Sequence, residues 1–223
     1  MDLVDCVLTR EVTRAYKPIP VPKELLTKIL DEARNCASAE NTQPWEFAVF
    51  GGQVMEEMRK ANQERFLAGV NPNPEIPYES SMWPEHYLTR IRGCGRPSLL
   101  SILGIDPQDE EARRQLWIKG LNFWGAPNGI VIYIDQGLPT LSIIDVGGVL
   151  QTILLLAHDY GLGCCPQEQM IFYPDIVRKF LNIPSSKLIV IGLAIGYPDE
   201  DAIINKYKSG RLPLEEMVTW HGI

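Results

Sequence analysis

Three almost wholly apolar runs, residues 47–50, 129–134 and 188–195, constrain the fold of this chain more than any other feature. Each is short, rich in β-branched or aromatic residues, and bounded by glycine or polar residues. Polar residues do not alternate with apolar ones in them, so the strands they form must be buried on both faces. The segments between them carry helical spacing. Pro22 occupies a first helical position, and Leu25, Leu26, Ile29, Leu30, Ala33 and Cys36 recur on one face, which predicts a helix over 22–36. Residues 53–67 form a polar-faced helix carrying Val54, Met55, Met58 and Phe66. Residues 145–160 form the most hydrophobic helix, closed by a left-handed Gly161, and 174–181 a shorter one. Helices alternate with buried strands, so the class is α+β, with a sheet covered on both faces.

Composition narrows the partners. The 223 residues are 45% hydrophobic, enough for a real core, and no linker, repeat or low-complexity tract divides them, so one domain over 1–223 is expected. A net charge of -7 argues against nucleic acid, whose phosphates demand a basic face. Met1-Asp2-Leu3-Val4-Asp5 lacks the features of a signal peptide, and the longest apolar stretch, 141–157, is interrupted by Asp145, Gln151 and Thr152, so no membrane association is expected. Five cysteines without a regular framework fit a cytoplasmic location. His86, His158 and His221 have no metal spacing, and neither a nucleophile elbow nor a phosphate-binding glycine loop is present. Metal, hydrolase, kinase and dinucleotide-fold readings therefore lack their parts.

Two short segments do carry chemistry. Arg10-Glu11-Val12-Thr13-Arg14-Ala15-Tyr16 places two cations close together, and Ser38-Ala39-Glu40-Asn41-Thr42-Gln43-Pro44-Trp45 is a small polar loop with two amides. Arginine offers forked donors to a phosphate, and Asn41 and Gln43 can each donate and accept in the plane of a flat polar ring. Taken alone, two surface arginines and an ordinary loop before a strand explain the same residues.

Order along the chain adds to this. Arg-x-x-x-Arg-x-Tyr, then Ser-x-x-Asn-x-Gln-Pro-Trp, then Gly125-Ala126-Pro127 before an apolar strand, Asp145-Val146-Gly147-Gly148 with Gln151, Gly161-Leu162-Gly163 with Pro166, and finally Arg211-Leu212-Pro213 together resemble the nitroreductase family of FMN-dependent oxidoreductases. The resemblance runs from about Arg10 to Trp220. It implies a mainly antiparallel central sheet flanked by helices, in an intertwined homodimer embraced by a C-terminal arm over about 197–223. It also implies FMN at the dimer interface, NADH or NADPH as electron donor, and ping-pong reduction of an electron-poor small molecule, nitroaromatic or quinone-like. Arg10, Arg14 and Arg211, with Lys208 as a weaker candidate, would serve the phosphate and the N1–O2 edge of the flavin from one protomer. Some of Ser38, Asn41 and Gln43 would approach from the other, and Ala39 would also border the cofactor. In the segment around Pro166, Gln167 and Glu168, the Glu168 backbone N–H would face N5, and no side chain would be catalytic, since the cofactor does the chemistry. Glu11 and Val12 depart from the family pattern; Glu11 would turn away from the phosphate and give at most its backbone. Cys164 and Cys165 read as small buried hydrophobes more readily than as a redox pair. Family relatives that dehalogenate, reduce enones or dehydrogenate remain alternatives, as does a flavin-binding module without turnover.

Residues 71–104 resemble the family least. In the family a variable insertion there covers the substrate face. Trp83 and Tyr87 could stack on a flat substrate, and Arg90, Arg92 and Arg96 form a basic cluster in an acidic chain. This stretch predicts substrate contacts from Trp83, Tyr87, Arg90 and Arg96, and preference for an aromatic carboxylate over its neutral ester. A solvated helix face with its arginines paired to Glu85 and other carboxylates fits the same residues.

Overall fold

The three apolar runs become three of four strands in one antiparallel sheet. The computed structural model describes residues 1–77, 83–91 and 97–223. In chain order, α1 (Leu3–Thr9) and α2 (Lys23–Ala33) precede β1 (Glu46–Gly51) and α3 (Gly52–Leu67). Then come α4 (Glu85–Ile91), α5 (Leu99–Ile102), α6 (Glu110–Leu121), β2 (Asn128–Asp135) and α7 (Leu141–Asp159), and finally β3 (Gly163–Gln167), α8 (Pro174–Leu181) and β4 (Lys187–Gly196). The sheet order is β1-β2-β4-β3, antiparallel throughout.

Both faces are covered, as the uninterrupted apolar runs require. On one face Ile130, Ile132, Ile134, Leu193 and Ile195 pack on Leu26, Ile29 and Ala33 of α2 and on Val146, Val149, Ile153 and Ala157 of α7. On the other, Val131, Ile189 and Ala194 meet Met55 and Met58 of α3, Met170, and Val177 of α8. A register shift between Ile132 and Tyr133 lets the long β2–β4 ladder keep both sets in place.

Three features depart from the reading of the sequence. First, Pro22 is the cap of α2 and lies just outside it, with its carbonyl accepting from Leu26 N at 3.1 Å. Second, α7 begins at Leu141, four residues before Asp145, because the turn at Pro139 and Thr140 already closes the first hydrogen bonds. Leu141 and Ile144 of its first turn are exposed. Its end follows expectation: Gly161 at φ 75° lets Leu162 N reach Ala157 O at 2.8 Å and Gly161 N reach His158 O at 3.0 Å. The helix is long and apolar enough to cross a membrane, but here it lies against the sheet. Third, residues 163–167, where the sequence reading places no strand, form edge strand β3, where Pro166 is tolerated because an edge position need not donate on both sides. Residues 71–77 have no regular structure yet are fastened in place: Asn73 N donates to Phe172 O at 2.9 Å, and Glu75 accepts from Ile189 N of β4 at 2.7 Å while pairing with Arg178.

Candidate functional site

The arginine segment is laid along the free edge of β3. Val12 bridges Cys164, Thr13 N donates to Cys164 O at 2.9 Å, and Tyr16 bridges Pro198. Thr13 is buried against Gly163, so closely that a Cβ there would meet the Thr13 side chain, while its neighbours Arg10 and Arg14 face open space. Asn205 clamps this backbone from the other side. Its Oδ1 accepts from Arg14 N at 2.7 Å and Ala15 N at 3.1 Å, and its Nδ2 donates to Ala15 O and Asp199 O, each at 2.8 Å. All four hydrogen-bonding positions of the amide are thus used.

Among the described residues three spaces border Arg14, and two of them hold the candidate residues. The first is a basin of about 860 Å³ walled by Arg10, Arg14, Arg90, Lys208 and Arg211. Arg10 and Arg14 have no side-chain hydrogen bond or ion pair among the described residues; the Arg14 guanidinium lies 6.0 Å from the Trp124 ring centre and 5.8 Å from that of Tyr207. Arg211 turns back on its own loop, donating to Ser209 Oγ at 2.7 Å and Gly210 O at 2.8 Å. Glu11, expected to turn away from a phosphate, has its carboxylate paired with Lys208. It lines the basin, and Lys208 Nζ, 3.3 Å from its carboxylate, offsets the charge that would repel an anion.

The second space is a cavity of about 940 Å³ between α6 and the segment Cys165–Gln169, with Arg14, Trp124 and Phe172 in its wall. Gln167, buried, ties the two sides together by donating from Nε2 to Gly120 O at 3.1 Å. Gly120 lets the helix approach: a Cβ there would lie 2.1 Å from the Gln169 side chain. Burial pushes the Glu168 carboxyl up to about 7, and its Oε1 has no hydrogen-bond partner. Cys165 is raised to about 11 and Cys164 higher still, both by burial first, so neither thiol is a nucleophile at neutral pH. The turn Phe123-Trp124-Gly125 holds three consecutive left-handed residues, at φ 52°, 56° and 75°. For the two non-glycines this costs about 1–3 kcal/mol each, a strain that concentrates at ligand sites.

A second strained turn carries the polar loop. Glu40, Asn41 and Gln43 sit at φ 50°, 56° and 45°. Asp145, buried on α7, accepts from Ala39 N at 3.2 Å, and Ser38 Oγ accepts from Gln43 N at 3.0 Å. Asn41 and Gln43 are exposed and line neither space, so one chain does not bring them to its own arginines. Of the substrate candidates, Trp83 and Tyr87 have ring centres 5.6 Å apart with planes tilted by 58° and line neither space, and Arg90, 4.5 Å from the Tyr87 ring, joins the basin and not the aromatic cavity. Arg92 and Arg96 lie outside the described residues. Among the described residues no three His, Cys, Asp or Glu side chains converge to hold a metal.

Sequence reasoning missed Asn205, Trp124 and Tyr207, which had no local signal. It also missed the face of α6, where Glu110, Arg113, Arg114 and Trp117 recur at helical spacing. That spacing was visible.

The model of the nitroreductase family matches residues 7–197. The chain belongs to that family. It is 31% identical over 217 residues to a chloronitrobenzene nitroreductase of Comamonas testosteroni, covering 97% of this chain and 95% of the relative. It is 32% identical over 211 residues to a 4-nitrobenzoate reductase of Pseudomonas putida, covering 92% and 89%. Among solved structures, the FMN and NADPH-dependent nitroreductase NfnB from Sphigopyxis sp. strain HMH superposes with a TM-score of 0.94 at 28% identity, over 100% of both chains. The nitroreductase fold, expected from the order of motifs, is thereby established for this chain.

Proposed function

We propose that this nitroreductase is a cytoplasmic, single-domain FMN-dependent enzyme that uses NAD(P)H to reduce nitroaromatic or similarly electron-poor small molecules. One observation carries the reading: a basin walled by the candidate cations Arg10, Arg14, Lys208 and Arg211 shares Arg14 with a cavity walled by Cys165–Gln169. The unengaged guanidinium donors of Arg10 and Arg14 fit a dianionic phosphate, and Arg14, beside Trp124 and Tyr207, lines both the basin and the cavity. The chemistry that FMN supplies when bound is hydride transfer between NAD(P)H and an acceptor. Arg14 beside the ring would favour its reduced, anionic form, and the cavity would take donor and acceptor in turn, a ping-pong sequence. The named relatives and NfnB support this assignment by what their names state.

The exposed Ser38–Gln43 loop supports a homodimer in which each protomer lends that loop to its partner's site. So do the bare apolar side chains of Leu3, Val7 and Leu8 on α1, Leu141 and Ile144 on α7, and Met217 and Trp220 near the C-terminus. The test is an absorbance spectrum of the purified protein with light scattering. A yellow dimer with one FMN per protomer, bleached anaerobically by NADH or NADPH, is expected. A colourless protein that gains no flavin spectrum with added FMN, or a clean monomer, would overturn the reading.

A further inference from the structure

The cavity beside Cys165–Gln169 carries more than the family motif requires. Helix α6 turns Glu110, Arg113, Arg114 and Trp117 toward it. Trp117 is 43% exposed, unusual for so large an apolar ring, and its other side is backed by Phe172, with ring centres 5.9 Å apart and planes 28° from parallel. Phe172 is itself buried, so the Trp117 ring is a supported platform with an open face. One turn back on the helix, Arg113 makes only a long contact, 3.4 Å, to Pro107 O, and Arg114 stands 3.8 Å from Glu111. Glu110 and Glu168 are the acids in the wall.

We infer that this cavity binds a flat aromatic ring bearing a carboxylate, the ring on Trp117 and the carboxylate on Arg113. This rests on the proposed reductase function and names its preferred substrate class. Three features fit. A benzene ring matches the open Trp117 face, and a carboxylate matches the forked donors of a guanidinium. The spacing also fits, because residues i and i+4 are neighbours on one face of a helix, so the long Arg113 side chain can reach an acid group on a ring lying against Trp117. Glu168, whose burial keeps it close to half-protonated at neutrality, opposes an anion less than an ordinary carboxylate would. The assignment places anion recognition on α6; of the basic cluster expected to do this in 81–96, Arg90 belongs to the basin, and Arg92 and Arg96 lie outside the described residues.

The test uses the holoprotein and two probes, 4-nitrobenzoate and its methyl ester. Titration followed by tryptophan fluorescence should give a Kd for the acid about tenfold below that for the ester, the size expected of one partly solvated charged contact. Arg113→Gln should remove that ratio while leaving the ester's Kd and the flavin spectrum in place, and Trp117→Ala should weaken both probes. Steady-state kinetics on Arg113→Gln should raise KM for the acid alone. Equal Kd values for acid and ester in the wild type, or an Arg113→Gln effect equal for both, would overturn the proposal. A change confined to NADPH relative to NADH would overturn it too, assigning Arg113 to the nucleotide phosphate. Fluorescence reads binding without turnover, so a colourless protein sinks the flavin reading separately while the acid-to-ester ratio still decides this one.

Discussion

Gly163→Ala tests whether the arginine segment depends on close contact with β3. An added Cβ would lie 2.1 Å from Thr13 Oγ1, 2.6 Å from its Cβ and 2.8 Å from its Cγ2. Carbon atoms settle at about 3.5–4.0 Å, so the two backbones must part by roughly 1 Å. Rotation of Thr13 moves Oγ1 and Cγ2 but not its own Cβ, and no rotamer removes the clash. Separation would break the bridge of Val12 to Cys164 and stretch the 2.9 Å bond from Thr13 N. Overpacking of this kind costs about 1–3 kcal/mol. The larger effect should fall on the cofactor, because Arg10 and Arg14 ride on the displaced strand. A loss of about tenfold in FMN affinity, or roughly 1.4 kcal/mol, is expected. Urea denaturation reads the first quantity, and quenching of flavin fluorescence on titration reads the second. Thr13→Gly in the Gly163→Ala background should recover affinity relative to the additive expectation, since it removes every clashing atom. Unchanged FMN affinity in Gly163→Ala, or a double variant that behaves additively, would show that the segment is held elsewhere.

Further expectations follow from single side chains. Asn205→Ala removes four hydrogen bonds around Arg14 and Ala15 and should cost about 2–4 kcal/mol of stability together with FMN affinity, by the same two assays. Arg10→Ala and Arg211→Ala should each weaken FMN by about 1.5–3 kcal/mol, whereas Glu11→Ala should leave affinity unchanged or improve it by releasing Lys208; flavin titrations showing the reverse order would refute this geometry. Asp145→Ala removes the acceptor of Ala39 N and should lower stability by about 1 kcal/mol while raising protease cleavage within 38–43. Glu168 is held protonated in the fold to about pH 7 but ionises near 4.3 when unfolded, so its burial destabilises the fold progressively as pH rises between those values. Glu168→Gln should therefore gain stability relative to wild type on going from pH 5 to pH 8, and a difference independent of pH in urea melts would refute it.

The buried sheet was legible because strands covered on both faces leave no polar alternation, and 47–50, 129–134 and 188–195 could hardly have been anything else. The cap at Gly161 was legible for a similar reason, since left-handed backbone after a long apolar helix selects glycine. Strand β3 was not. Its composition, with Pro166 and two cysteines, has little strand propensity of its own, and what makes it a strand is pairing with β4 some thirty residues later. The family and the identity of the arginine segment could be read from ordered motifs, while Asn205, Trp124 and Tyr207 around Arg14 could not.

What the sequence determined by itself was therefore what local chemistry dictates: which segments are apolar on every side, where the backbone must turn left-handed, and which side chains can hold an anion. The tertiary structure alone decided which of those side chains share one space. It set Arg90 among the basin cations and away from an aromatic slot, met Glu11 with Lys208, and kept Asn41 and Gln43 apart from the arginines of their own chain. Those outcomes depend on contacts between residues tens to hundreds of positions apart, and no local periodicity or propensity encodes a distance of that kind.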